Sequence, residues 1–215
     1  MEEEKFNHIV YSKNVIEFAT VANEYCAFLE KSNSLGRRLF LEKIQKLLPL
    51  LYLKASLLPN IDAEETETPE KFLKEIDYNR LLNRLSDKLG SYDSYLEVFD
   101  QGMQFSETPV DSNISENLCD IYQDLKDFIF AFRLGTVEIM TDAVWECRKN
   151  FCEYWGQKLV NVLRAIHSLV YGENDLDEMN DRIEGDGAKE KAEEDSSWLS
   201  NHFNQEEGDS FSNEL

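Results

Sequence analysis

Ile114, Leu118, Ile121, Leu125, Ile129 and Phe132 recur at spacings of three and four along one uninterrupted run. That is the period of an α-helix with one apolar face, and the wrong period for a strand. Comparable stripes lie on both sides of it. Val15, Phe18, Ala22, Tyr25, Cys26 and Leu29 come after Ser12, a suitable N-cap. A segment from about Leu35 to Leu58 is apolar nearly all round in its second half, as a helix in the middle of a bundle should be, and Pro49 should kink it rather than end it. Leu81, Leu85, Leu89, Tyr92, Leu96 and Phe99 form a long stripe with a break signal at Gly90-Ser91. Met140, Val144, Phe151 and Trp155 form another, and Leu159, Leu163, Ile166 and Val170 the last, ending at Gly172. Gly135 reads as the residue just past a helix end. No Asn-Gly or Asp-Gly turn with flanking alternation precedes Gly172. The expected fold class is all-α: a bundle of roughly five to seven helices over residues 1–171.

Charge divides the chain differently. Of 43 acidic and 22 basic residues, 15 and 3 fall between Gly172 and Leu215, a net −12 out of −21. This acidic tail is poor in aliphatics and cannot bury enough to offset its ordering entropy, so it is expected to be flexible. So acidic a chain opposes adhesion to nucleic acid or anionic lipid. The first five residues, Met1 to Lys5, carry no apolar h-region, and the longest apolar runs are too short to span a bilayer. Cys26, Cys119, Cys147 and Cys152 include no CxxC pair and have no His at zinc-finger spacing. A cytoplasmic protein with reduced thiols is expected, without cofactor or metal.

Several segments stand in order: Tyr95 to Asp100 (YLEVFD), Asp120 to Lys126 (DIYQDLK), Ala143 to Arg148 (AVWECR), Tyr154-Trp155-Gly156, and Leu163 to His167 (LRAIH). Together they resemble a bacterial family of uncharacterised helical proteins, domain of unknown function 5063, over roughly residues 10–171 and most densely from Tyr92 to His167. Cys147 and Tyr154 stand where the family pattern has an aromatic or a histidine. The resemblance implies a helical fold and a bacterial cytoplasmic setting, and it implies no activity.

Two carboxylate triples share a spacing, Asp93, Glu97, Asp100 and Asp120, Asp124, Asp127. Acids so spaced on facing helices are how bundles hold divalent ions. The second triple points about 160–180° away from its apolar stripe, so it is expected to face water. The first lies at the boundary, about 60–120° off, if the helix continues through Gly90. Arg148 points inward, about 50° from its stripe centre, and a buried guanidinium needs a partner. The candidate partners are Glu97, Asp100 and Asp93, with Glu97 the first choice. His167, about 80–100° off its stripe, reads as a packed or capping residue near a helix end. In the tail, Trp198, Leu199 and Phe203 would share one side of a short helix and could anchor in a partner's groove. Two functions fit this pattern. The first is a non-catalytic interaction or adaptor module that binds a protein partner, through the acidic tail among other surfaces, with dimerisation open. The alternative is a metal-dependent hydrolase of a phosphorylated small molecule, with Asp93, Glu97 and Asp100 holding the ion and Arg148 the phosphate.

Overall fold

The computed structural model of the chain describes residues 8–63, 71–97, 110–133 and 135–177. Six α-helices stand among them: α1 (Lys13–Glu30), α2 (Arg37–Ser56), α3 (Glu75–Leu89), α4 (Ile114–Arg133), α5 (Val137–Asn150) and α6 (Gly156–Tyr171). A π-helical turn, Phe151–Trp155, joins the last two, so they run on as one rod. The fold is mostly all-α, as the periodicity predicts. No helix among the described residues is long and apolar enough to cross a membrane.

The buried residues of α1 are the predicted stripe, Val15, Phe18, Ala22, Tyr25, Cys26 and Leu29. Ser12 occupies the N-cap with extended backbone, although its hydroxyl makes no capping bond. Helix α2 continues through Pro49, whose ring lies on the exposed face. Helix α4 is the centre of the bundle, packed by α1, α3, α5 and α6. Its apolar stripe meets those neighbours through Leu118, Ile121, Leu125 and Phe128, and Tyr25 of α1 donates to the Leu118 carbonyl at 2.9 Å. Gly135 takes the left-handed φ of +82° after α4, as expected for a glycine at that place. Thr136 then caps α5, its hydroxyl accepting from the Ile139 amide at 3.4 Å.

The stripe from Leu81 to Phe99 does not form one helix. Gly90 has φ +57° and ψ −126°, which ends α3 because no helix passes through that conformation. The chain then makes a short strand, β1 (Ser94–Glu97), antiparallel to β2 (Val110–Asn113), with Ser94 opposite Asn113 and Glu97 opposite Val110. These four-residue strands carry neither turn signature nor alternating apolar residues; Leu96 of β1 is exposed. Hence the pattern gives no warning of them.

Gly156 is needed where the π turn passes into α6. A Cβ there would collide with the Phe151 carbonyl oxygen and lie 3.0 Å from its ring. Backbone cannot yield as a flexible side chain does, so Gly156→Ala is expected to cost about 1–3 kcal/mol. That lowers the thermal midpoint by roughly 2–10 °C in a chain of this size. A wild-type midpoint in the alanine variant would mean that the turn relaxes to α-helix without cost.

Candidate functional site

The densest polar cluster in the bundle gathers around Asp120 of α4. Its Oδ1 accepts from the Tyr78 hydroxyl of α3 at 2.7 Å. Its Oδ2 accepts from the Tyr154 hydroxyl of the π turn at 2.9 Å and from Lys158 Nζ of α6 at 2.5 Å. Lys158 also donates to Asn117 Oδ1 at 3.3 Å and lies 4.8 Å above the Tyr154 ring. Asn117 Nδ2 in turn donates to Tyr95 Oη at 2.6 Å and Ser112 Oγ at 3.0 Å, so both strands are tied in. Close by, Asn161 joins Glu97 to Gln157.

Tyr154 reaches this carboxylate from within the π turn. Four residues apart, Tyr154 and Lys158 share one face of the rod, which sets both side chains on the same carboxylate. Burial and then the Asp120 hydrogen bond push the Tyr78 and Tyr154 phenols above their ordinary value. Burial works against the charge of Lys158, but Asp120 outweighs it and the ammonium is held more firmly. At neutral pH the phenols stay protonated and the lysine stays charged. Neither is tuned as a base or nucleophile, and the cluster acts as an internal tie.

The other candidate residues serve different elements. Asp93 is buried and caps α4: its carbonyl accepts from the Ile114 amide at 2.8 Å, Oδ1 from the Ser115 amide at 2.7 Å and Oδ2 from the Ser115 hydroxyl at 2.6 Å. Glu97 accepts from Asn161 at 3.4 Å. Asp100 lies outside the described residues. With α3 ended at Gly90, Asp93 and Glu97 do not share a helix face.

The expected Arg148–Glu97 pair is not formed. Half-buried Arg148 donates instead through Nε to the Leu58 carbonyl at 3.3 Å and through Nη1 to Asn60 Oδ1 at 3.2 Å. Both acceptors lie in the turn after α2, so a free backbone carbonyl and an amide oxygen satisfy the guanidinium without a carboxylate. The three described members assigned to the hydrolase site are therefore engaged with different elements, Asp93 with the start of α4, Glu97 with Asn161 of α6 and Arg148 with the turn after α2. His167 is exposed, its ring 4.7 Å from that of Tyr171. Trp198, Leu199 and Phe203 lie outside the described residues.

The expectation that Asp120, Asp124 and Asp127 face water is overturned. Asp127 is buried and accepts from the Phe72 and Leu73 amides, both at 2.9 Å, with Lys71 Nζ 3.8 Å away. Asp124 accepts from Asn150 Nδ2 at 2.7 Å, and burial pushes its carboxyl up to about 6. A central helix has no water-facing side: the face opposite its apolar stripe is covered by the α3 approach, α5 and α6, and needs polar partners there. Among the described residues no three of His, Cys, Asp and Glu are placed to hold a metal ion. Buried Cys26, Cys119 and Cys147 have thiols pushed up by desolvation, Cys119 to about 12, and are unreactive. A surface groove of about 560 Å³ separates α2 from α6, lined by Gln45 and Pro49 on one side and Val160, Arg164, His167 and Tyr171 on the other.

These features define a helical-bundle protein whose central helix is organised by carboxylates rather than by apolar packing alone. The family model described as Domain of unknown function (DUF5063) matches residues 9–172, and the chain belongs to that family. It is similar to the crystal structure of protein BF1032 from Bacteroides fragilis, with 45% identity over 78% of this chain and 98% of that one, and a TM-score of 0.69. No curated protein matches the chain.

Proposed function

We propose that this chain is a non-catalytic interaction module, a rigid helical bundle that binds a protein partner in the cytoplasm of a bacterium. The outer face of α2 carries this reading: Leu39, Leu50, Leu53 and Leu57 are 44, 42, 52 and 44% exposed. Isolated exposed leucines need no explanation, but several on one helix face are a feature of interaction surfaces. The inward-turned carboxylates and Arg148 support the same reading, because they hold elements together instead of opening into a cleft. The acidic tail with Trp198, Leu199 and Phe203 is a second contact in this proposal, suited to a basic partner.

The test is a photo-reactive residue placed singly at positions 53, 76, 138 and 160 of the full chain, irradiated in the native cells. A discrete adduct with another protein from any of these sites is the expected result. Uncrosslinked chain at all four sites would remove the proposal.

A further inference from the structure

The exposed side of α2 has a second regularity. Leu39, Lys43, Lys46, Leu50, Leu53 and Leu57 succeed one another at spacings of four, three, four, three and four, and all six are exposed. This is the 4-3 spacing of a coiled-coil seam turned away from the bundle, with leucine at four positions and lysine at two. It extends about 27 Å, five helical turns. Beside it runs the groove against α6, where Pro49, Val160 and Leu163 supply apolar wall and Arg164 and His167 supply polar heads.

Charge says what fits there. The chain carries −21 overall, yet this face presents Lys43, Lys46 and Arg164, all exposed. No carboxylate pairs with any of the three among the described residues. Other lysines on the same and neighbouring helices are engaged, Lys54 with Glu17 and Lys158 with Asp120. A second copy packed α2 against α2 would bring two such cationic seams together between two strongly acidic chains, which like-charge repulsion opposes. An acidic helix with leucine-like residues at the 4-3 spacing satisfies both the seam and the cations.

Resting on the interaction-module reading, we infer that the α2–α6 face docks an acidic amphipathic helix of a protein partner. The helix lies along the seam, its apolar residues between Leu50, Leu53 and Leu57 and the α6 wall, its carboxylates on Lys43, Lys46 and Arg164.

The experiment uses the full chain and two synthetic 22-residue helical peptides. Both have leucine at the a and d positions; one has glutamate and the other lysine at e and g. Fluorescence anisotropy should show the glutamate peptide binding at least tenfold more tightly than the lysine peptide, with affinity falling as salt rises. Leu53→Glu, at an exposed site where the fold tolerates change, should abolish binding while leaving the circular dichroism unchanged. Lys46→Glu combined with Arg164→Glu should reverse the preference between peptides. Equal binding of both peptides, no binding of either at about millimolar concentration, or binding indifferent to Leu53→Glu overturns the inference. In cells, a photo-adduct at position 53 whose partner peptide is acidic and amphipathic supports it. An adduct at 53 with this same chain, or adducts at 76 or 138 with none at 53, overturns it while leaving the interaction module standing.

Discussion

Asp120→Ala is expected to lower stability by about 3 kcal/mol. The change strands three groups at once. Tyr78 and Tyr154 lose the acceptor of their hydroxyls, and Lys158 keeps its charge at a site where only a quarter of its side chain meets solvent. The part-buried Tyr78 hydroxyl and Lys158 ammonium cost about 1–2 kcal/mol each, exposed Tyr154 turns to water, and part of the cost is recovered because Lys158 still reaches Asn117. The thermal midpoint should fall by roughly 6–12 °C. Asp120→Asn retains one oxygen acceptor but gives up the charge, and should fall between wild type and alanine. Lys158→Met removes the cation together with its need for a partner and should cost less than Asp120→Ala. Urea melts of Asp120→Asn, Lys158→Met and the double variant close a cycle whose coupling measures the pair itself. A coupling near zero, or an Asp120→Ala midpoint within about 2 °C of wild type, would show that the cluster is solvated in solution and ties nothing together.

How much of the fold and the cluster is legible in the sequence depends on what each residue faces. The α1 stripe and the apolar stripe of α4 can be read residue by residue, because one side of each helix buries hydrocarbon and the 3.6-residue period records it. The other side of α4 cannot. Averaging apolar directions locates the strongest contact and assigns the remainder to water, a sound assumption for a peripheral helix and a false one for a helix with neighbours all round. Asp120, Asp124 and Asp127 stand on that covered side, and each answers to a different element: the π turn and α6, the end of α5, and the backbone at Phe72 and Leu73. Only long-range geometry pairs them. Arg148 does need a partner, as its inward direction implies, but a turn carbonyl free to accept from it leaves no mark in the sequence. The hairpin is hidden for a related reason, since Gly90 signals a break without specifying the structure beyond it. The one local clue to the cluster is Tyr154 four residues before Lys158, a same-face helical pair whose shared acceptor lies on another helix.

Asp124→Asn should stabilise the protein at pH 7, an uncommon direction for a change at a buried site. The Asp124 carboxyl titrates at about 6 in the fold against an ordinary 3.8, driven by burial and opposed by the Asn150 hydrogen bond and by Lys71, with Asp127 and Glu146 adding repulsion. Its folded form is thus the weaker acid, so between about pH 4 and 6 the native state holds more of this proton than the unfolded chain does. The contribution of Asp124 to stability is therefore greatest below pH 4 and declines as pH rises through that window. Above about 6 both states are ionised, and the buried charge is a constant penalty of about 3 kcal/mol. Asparagine keeps an oxygen to accept from Asn150 and carries no charge, so it escapes the penalty. The many other carboxylates of this chain titrate in both proteins and cancel in the difference between them. Thermal or urea unfolding of wild type and Asp124→Asn from pH 4 to pH 8 should show the variant's advantage growing from near zero at the acid end to about 3 kcal/mol at pH 7, then levelling. A difference independent of pH would mean that Asp124 titrates as an ordinary carboxylate, and a variant less stable than wild type at pH 7 would mean that its charge is needed to hold Lys71 against α4 and α5.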